Sequence, residues 1–242
     1  MIDTIKPGWV APPGVCAYTT TRAGGVSEAP FDSLNLALHV GDDPVHVARN
    51  RELLWQLLNL PAEPCWINQT HGTHAVTLEL DNNREADAAI TRLPGVVAVV
   101  MTADCLPILV CNRDGSEVAA VHAGWRGLQA GVIQGTLASM ESSSEQLQAW
   151  IGPGISQHNF EVGGEVRSAF IDSMQDAESF FKENRKGHWL CDLAGLAERV
   201  LKRQGVVDVY RDPGCSYSDA DRFFSYRRNA TTGRMASLIW IT

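Results

Sequence analysis

Two short apolar segments of this chain end in residue types that bind metals or act as nucleophiles. The segment 95–101 is followed by Thr-Ala-Asp-Cys-Leu-Pro at 102–107, and the segment 117–121 is followed by His-Ala-Gly-Trp-Arg-Gly at 122–127. Segments of this length that are rich in β-branched residues and opened by turn or polar residues are typical of buried strands. The fold must therefore bring two buried strand ends together, and we expect the chemistry of the protein at that point.

The remaining patterns interleave helices with strands. Asp43 followed by Pro44 predicts the start of a helix that runs to Pro61, and Asp192 predicts the start of a second helix that Gly205 ends. Further predicted elements are helices after Gly127 and after Gly163-Gly164, and strands at 147–151, 206–210, 223–228 and 235–241. The two classes of element do not follow a strict strand–helix–strand rhythm. We therefore predict an α/β or α+β fold with mixed sheets rather than a doubly wound parallel sheet.

Composition restricts the class of protein. With 242 residues, 45% of them hydrophobic, the chain can bury a full core, and no linker, charge block or repeat divides it, so we expect residues 1–242 to form a single domain. A net charge of −8 argues against binding to nucleic acid, which needs an excess of Lys and Arg, and favours a small-molecule substrate. No leader-like segment and no run long enough to cross a bilayer is apparent, so we expect a cytoplasmic protein without a membrane partner. The sequence does not indicate an oligomeric state.

His71, Cys105 and His122 are candidate metal ligands. Zinc accepts thiolate and imidazole ligands together, and a catalytic zinc site usually has three protein ligands and one open position. Gly72 and Gly124 leave space beside the two imidazoles. Two alternatives remain open. Cys105 can be a core thiol beside hydrogen-bonded turn histidines, or it can be a nucleophile that uses His122 as its base.

Two carboxylates and three arginines complete the set of candidate site residues. Asp87 or Asp104 can orient a ligand imidazole or transfer protons. Arg22, in a Gly-rich loop whose N–H groups can form an anion-binding nest, and Arg126, directly after the His122 turn, are candidate anion contacts, and Arg227 is a third. An ordinary surface role is the alternative for each arginine. The chain has neither a Gly-x-Gly-x-x-Gly nor a Walker-type loop, which disfavours dinucleotide or nucleoside triphosphate binding.

A series of short motifs runs in order through nearly the whole chain. They are 21–27, 35–36 with 41–42, 69–72, 86–88, 102–107, 122–127, 151–153, 160–163 and 224–228. Together they closely resemble the bacterial YfiH family, which is also called the laccase-domain or polyphenol oxidase family. No key position departs from the pattern of that family.

This resemblance implies a fold, a metal and an activity. The implied fold is a single domain of four layers, α/β/β/α, with mixed sheets, and the implied metal ligands are His71, Cys105 and His122. The implied enzyme is a metal-dependent purine nucleoside phosphorylase that cleaves adenosine, inosine, guanosine and methylthioadenosine with phosphate, and that also deaminates adenosine. Zn²⁺ is the expected cofactor and Cu²⁺ the alternative. On this interpretation arginines among positions 22, 126 and 227 hold the phosphate, and Asp104 or Asp87 moves protons.

Other activities attributed to the family are alternatives. They are copper-dependent polyphenol oxidation, Cys-dependent hydrolysis, and editing of peptidoglycan precursors. A multicopper oxidase needs a blue-copper centre and a three-copper cluster, with many histidines arranged mostly as His-x-His pairs. This chain has seven histidines and no such pair, so the four-copper mechanism does not fit within one chain. A single copper at the same three ligands leaves phenol oxidation as the second-ranked activity.

Overall fold

Two mixed sheets form the centre of the computed structural model, which describes residues 2–242. Sheet I has the order β1 (Thr4–Ile5), β2 (Val15–Thr20), β14 (Met235–Ile241), β6 (Val97–Thr102) and β3 (Cys65–Trp66). Sheet II has the order β13 (Asp208–Arg211), β9 (Leu147–Ile151), β7 (Leu106–Asn112), β8 (Val118–Ala123), β5 (Ala88–Thr91) and β4 (Ala75–Thr77). A small third sheet has the order β10 (Glu161–Gly163), β12 (His188–Cys191) and β11 (Phe181–Arg185). The pairs β3–β6, β4–β5 and β9–β13 are parallel and the others are antiparallel, which confirms the prediction of mixed sheets.

Five α-helices cover the outer faces of the two large sheets. They are α1 (Pro44–Leu58), α2 (Trp125–Ala130), α3 (Val132–Ser139), α4 (Gly164–Ser173) and α5 (Leu193–Arg203). The Asp43 carboxylate accepts a hydrogen bond from the Val45 amide at the start of α1, and the Asp192 carboxylate accepts one from Gly195 at the start of α5. Both predicted N-caps are therefore confirmed. None of the helices among residues 2–242 has the length and apolar character needed to cross a bilayer.

Three apolar interfaces separate four layers. Leu54 of α1 packs with Val99 and Trp240 on the outer face of sheet I. Between the sheets, Val100 of β6 shares one buried cluster with Leu109 of β7. The outer face of sheet II packs against α2 to α5. The observed order is α1, sheet I, sheet II and the other helices, which confirms the four-layer α/β/β/α fold.

The central strands are covered on both faces, which explains their continuous apolar sequences. Every residue of β6, β7, β8 and β9 is buried. Strand β9 has the predicted bounds, and strand β14 corresponds to the predicted 235–241. Helix α2 begins at Trp125, earlier than the predicted start after Gly127. The chain therefore turns into a helix almost directly after His122, the residue expected to carry chemistry.

The predicted strand at 223–228 is wrong. This segment forms turns, in which the Phe223 amide donates to the Asp219 carbonyl and the Asn229 amide donates to the Ser225 carbonyl. Phe223 and Phe224 are both buried, in one cluster with Met235. A strand would direct two successive side chains to opposite faces, whereas a turn allows both rings to enter the same cluster. Strand β14 pairs with β2 and β6 instead.

Candidate metal and substrate site

Cys105 lies where the chain passes from one large sheet to the other. Strand β6 of sheet I ends at Thr102, and strand β7 of sheet II begins at Leu106. His71 lies on a second passage of this kind, between β3 of sheet I and β4 of sheet II, and His122 lies within β8 next to β7. The predicted convergence of strand ends therefore occurs at the junction of the two sheets.

The three side chains form a compact cluster. Their candidate ligand atoms all lie within 4.8 Å of one another, and Cys105 Sγ is 4.0 Å from His71 Nε2. The two imidazole rings meet edge to face with centroids 4.8 Å apart. His122 is buried whereas His71 is exposed, so the cluster faces solvent on one side. One thiolate and two imidazoles with an open side match the donor set of a catalytic zinc site, and the residues fit a metal ion.

Asp87 orients both imidazoles. Its buried carboxylate accepts a hydrogen bond from His122 Nδ1 at 2.8 Å, which leaves Nε2 of that ring for the cluster. It also accepts hydrogen bonds from the successive backbone amides of Thr70, His71 and Gly72, at 3.2, 3.0 and 2.6 Å. Burial raises the pKa of Asp87, but the hydrogen bonds from His122 and the amides outweigh burial and lower it. Asp87 is therefore an ionised carboxylate that fixes one ligand directly and the other through its turn.

The turns that carry His71 and Cys105 have unusual backbone geometry. His71 has φ of 61° and Asp104 has φ of 88°, in the left-handed region that residues other than glycine rarely adopt. Such a residue costs on the order of 1 kcal/mol or more, and it persists only when its surroundings hold it. Asp87 holds the His71 turn. The Asp104 turn is held by its own carboxylate, which accepts hydrogen bonds from Ser216 Oγ at 2.7 Å and from the Arg227 amide at 2.6 Å.

The cluster favours a thiolate at Cys105. Burial opposes ionisation of this thiol, but the positive charge and hydrogen bonds of His122 and His71 outweigh burial and lower the pKa of Cys105 to about 6. For His122, burial disfavours the charged ring, yet Cys105 and Asp87 together raise its pKa to about 9. Both metal ligation and nucleophilic attack require the thiolate. Charge state alone therefore does not separate these two roles.

The site has no room for a side chain at Gly124. A Cβ atom at this position would lie 2.9 Å from Cys105 Sγ and 3.1 Å from His71 Cδ2. Its backbone φ of −69° is open to any residue, so steric room and not conformational freedom selects glycine here. The prediction that Gly124 leaves space beside the ligands agrees with this geometry.

A cavity of about 500 Å³ opens above the cluster. Aromatic side chains and arginines line it in pairs. The Arg126 guanidinium lies 4.4 Å from the Trp125 ring centroid, that of Arg227 lies 5.2 Å from the Phe160 centroid, and that of Arg234 lies 5.9 Å from the Tyr226 centroid. The volume suits a small organic ligand, and the lining offers apolar faces and positive charge together.

The structure brings most of the predicted site residues to this cavity. His71, Cys105, His122, Asp104, Arg126 and Arg227 line it. Asp87 lies behind His122 and does not reach the cavity surface. Both oxygens of Asp104 already accept hydrogen bonds, and so do both oxygens of Asp87. The two carboxylates therefore hold other parts of the site in place through these hydrogen bonds.

Arg22 does not reach the cavity, contrary to expectation. Its guanidinium is 3.0 Å from the Asp32 carboxylate, donates to the Ala220 carbonyl, and stacks on Phe224. The expected anion-binding nest is also absent in this loop, because the Gly25 and Val26 amides donate to side chains of Ser33 and Asn50. The loop uses its N–H groups to join two parts of the protein. We therefore do not assign Arg22 to phosphate.

Three cavity residues were not among the site residues predicted from the sequence. Gln69 exchanges two hydrogen bonds with the backbone of Met101, which ties the His71 turn to β6. His39 lines the cavity from the loop before α1, and Arg234 lines it from the start of β14. The motifs at 35–36 with 41–42 lie beside His39, and an apolar strand directly follows Arg234. Neither observation by itself indicates a cavity position.

The fold and the cluster together define a four-layer α/β protein with a His₂Cys cluster whose donor atoms fit a metal ion. The chain belongs to the family described as multi-copper polyphenol oxidoreductase laccase, whose sequence model matches residues 16–242. It is 48% identical to the Escherichia coli K12 protein named purine nucleoside phosphorylase YfiH, with 100% of both chains covered. It is 47% identical to purine nucleoside phosphorylase PA4543 of Pseudomonas aeruginosa, with 98% of both chains covered.

Solved structures share the fold. The crystal structure of Neisseria meningitidis protein NMB0706 matches with a TM-score of 0.94 at 46% identity, covering 98% of each chain. YlmD from Geobacillus stearothermophilus matches with a TM-score of 0.88 at 30% identity, covering 95% of this chain and 92% of that one. These similarities confirm the predicted family and fold.

Proposed function

We propose that this protein is a metal-dependent purine nucleoside phosphorylase that also deaminates adenosine. The observation that carries this proposal is the His71–Cys105–His122 cluster at the base of a cavity lined by aromatic rings and arginines. The names of the relatives in Escherichia coli and Pseudomonas aeruginosa support the phosphorylase activity. The substrates on this proposal are adenosine, inosine, guanosine or methylthioadenosine, with phosphate as the second substrate.

His71, Cys105 and His122 are the residues that would hold the metal, with Zn²⁺ proposed and Cu²⁺ as the alternative. A bound Zn²⁺ supplies Lewis acidity at its open position and lowers the pKa of bound water. Asp87 orients the two imidazoles. Asp104 positions the Arg227 turn beside Cys105 through its hydrogen bond to the Arg227 amide.

The remaining lining residues suit the two substrates. The faces of Trp125, Phe160 and Tyr226 provide apolar contact for a purine ring. Arg126 and Arg227 provide positive charge for phosphate, which has to approach the anomeric carbon as the purine leaves. Arginine is suited to this task because its planar guanidinium binds phosphate oxygens with two parallel hydrogen bonds.

Product analysis tests this proposal. Purified protein of known metal content is incubated with each of the four nucleosides, with and without phosphate, and free base, sugar phosphate and inosine are separated in one chromatogram. We expect free base and sugar 1-phosphate in equal amounts and only with phosphate, together with inosine from adenosine. A fully metallated sample that releases no base from any of the four nucleosides would refute the phosphorylase.

Polyphenol oxidation is a second candidate, favoured by the family description. One cluster of three candidate metal ligands is found among residues 2–242, which fits a single ion. A four-copper mechanism requires further ligand groups. Phenol oxidation that appears with copper loading and is absent with zinc would support a one-copper activity at this site.

Cys-dependent hydrolysis, as in the editing of a peptidoglycan precursor, requires a different response to chelation. If Cys105 is the nucleophile, the enzyme loses activity in Cys105→Ser and retains activity when metal is removed. If Cys105 is a metal ligand, the enzyme loses activity both on this substitution and on chelation. We expect both treatments to abolish nucleoside cleavage.

A further inference from the structure

We propose that Arg234 is the principal binding residue for the phosphate substrate, at the end of the ladder between β14 and β6. This inference rests on the proposed phosphorylase function and names the anion site within the same cavity. It replaces the Arg22 site expected from the sequence with a residue that the sequence did not single out.

The position of Arg234 is fixed by the backbone of sheet I. Met235 pairs with Thr102 across β14 and β6, so Arg234 directly precedes the last pair of the ladder. Its amide donates to Asn35 Oδ1 at 3.0 Å. One guanidinium nitrogen donates to the carbonyls of Thr232 and Gly233 at 2.9 and 3.0 Å. These bonds hold the guanidinium at the cavity wall and leave its other N–H groups for a ligand.

The charge of Arg234 is not neutralised by a neighbouring carboxylate. Among residues 2–242, no Asp or Glu oxygen lies within 4.0 Å of this guanidinium, although other partly buried arginines such as Arg92 pair with glutamates. A cation that is largely removed from water and has no counter-ion is costly in a folded protein. A bound anion removes that cost, because it supplies the missing charge together with hydrogen-bond acceptors.

Electrostatic interactions connect Arg234 with His39 and with the metal cluster. Burial lowers the pKa of His39, and repulsion from Arg234 and Arg51 lowers it further. Burial also lowers the pKa of Arg234 itself, while the charges of Cys105 and Asp104 raise it, so Arg234 lies within electrostatic reach of the metal cluster. Arg234 and the cluster also line the same cavity, so an anion bound at Arg234 can take part in a reaction there.

A second polar group at the end of this ladder lacks a hydrogen-bond partner. The Thr102 hydroxyl, at the end of β6, is buried and makes no hydrogen bond within the described part of the chain. Its partner must come from a ligand or from rotation of the side chain about the Cα–Cβ bond. Thr102 lines the cavity together with Arg234. A guanidinium without a counter-ion and a hydroxyl without a partner can both donate hydrogen bonds to phosphate oxygens.

Charge identifies which substrate this position takes. A nucleoside is neutral, and phosphate is the substrate that carries negative charge. A guanidinium without a counter-ion therefore selects phosphate, while the aromatic rings on the other walls are left for the purine.

The test compares Arg234→Gln and Arg234→Lys with Arg49→Gln as control. Arg49 is exposed on α1, pairs with Glu52 and lies outside the cavity lining. For Arg234→Gln we expect the KM for phosphate to rise by about 10-fold or more, as for loss of a charge-assisted hydrogen bond, while the KM for inosine changes less than about twofold. Arg234→Lys keeps the charge but cannot form two parallel hydrogen bonds to phosphate, so its KM for phosphate should lie between those of wild type and Arg234→Gln. This variant also decides the question if Arg234→Gln does not fold.

Calorimetry with inorganic phosphate provides a readout that does not depend on turnover. We expect phosphate to bind wild type and Arg49→Gln equally, and to bind the Arg234 variants more weakly. An unchanged phosphate KM and unchanged phosphate binding in folded Arg234 variants would overturn the inference while leaving the phosphorylase intact. If wild type cleaves no nucleoside, the proposed function fails, and phosphate binding that requires Arg234 still supports the anion site.

Discussion

Asp87 shows how one buried carboxylate can organise a candidate metal site without reaching its cavity. It bonds to one ligand imidazole and to three successive amides of the turn that carries the other. The left-handed conformation of His71 is maintained by these bonds. The arrangement of the two candidate ligand histidines therefore depends on a residue that does not line the cavity.

Substitution of Asp87 should weaken metal binding. In Asp87→Asn the carboxylate charge is lost, and the new amide N–H₂ faces groups that are themselves donors. We expect metal affinity to fall by about 10- to 100-fold, the range seen when the partner of a ligand histidine is removed. Competition with a chelator of known affinity measures the change. Asp172→Asn, an exposed change on α4, is the control, and equal affinity in the two variants would contradict the role given to Asp87.

The unpaired Thr102 hydroxyl should reduce stability. Burial of a hydroxyl without a hydrogen bond costs on the order of 1–3 kcal/mol, so Thr102→Val should raise the free energy of unfolding by about 1 kcal/mol in phosphate-free buffer. Urea denaturation measures this change. Thr19→Val is the matched control in the same sheet, because Thr19 shares a 2.7 Å hydrogen bond with Ser237 and its loss should destabilise the protein. A stability loss in both variants would show that Thr102 has a partner after all.

At the scale of elements, the junction between β8 and α2 leaves no room for a side chain. Gly124 separates His122 from the first residue of α2, and a side chain there would collide with both Cys105 and His71. The early start of α2 follows from this close packing, because the chain leaves the sheet immediately beyond the ligand. Helix α2 then places Arg126 at the cavity.

Gly124→Ala should disrupt the cluster while the fold remains. The added methyl group would lie 2.9 Å from Cys105 Sγ, so the thiolate or the His71 ring has to move by several tenths of an ångström. We expect loss of most bound metal, measured by elemental analysis, with a far-ultraviolet circular dichroism spectrum like that of wild type. Gly8→Ala is the control, because nothing lies within 4 Å of a Cβ at that position. Full metal occupancy in Gly124→Ala would contradict the predicted collision.

Element patterns explain which features the sequence predicts. The three candidate ligands could be singled out because each lies in a recognisable motif, and two of these motifs follow apolar segments that form β6 and β8. Helix caps such as Asp43 were predictable because capping is a local interaction.

The cavity positions of Arg234 and His39 were not predictable, since these residues reach the cavity only through the long-range pairing of β14 with β6 and the path of the loop before α1. The error at 223–228 has the same origin, because Met235, distant in sequence, completes the cluster that buries both phenylalanines.

At the scale of the whole molecule, the cluster joins the two large sheets. His71 and Cys105 lie on segments that leave sheet I and enter sheet II, and His122 belongs to sheet II. A metal ion bound to all three links both layers in the folded state. Unfolding separates the ligands, so binding energy contributes to the stability of the entire fold.

Removal of metal should therefore lower thermal stability. A ligand that binds only the folded state at 100 times its Kd stabilises that state by about 2.7 kcal/mol. We expect the Tm of the metallated protein to fall on chelation and to recover on addition of Zn²⁺, as measured by calorimetry. In Cys105→Ser, which lacks one ligand, chelation should change Tm much less. An identical Tm with and without metal in wild type would show that the ion does not bind all three ligands.

The passage of the chain between sheets at His71 and at Cys105 also bears on how such a centre can be inherited or engineered. Neither sheet by itself contains a complete set of ligands, and the segments that supply two of them are the connections between the sheets. Grafting one sheet onto another scaffold, or dividing the chain between them, would leave a partial set. This centre can be transferred between proteins only together with both layers and the order in which the chain visits them.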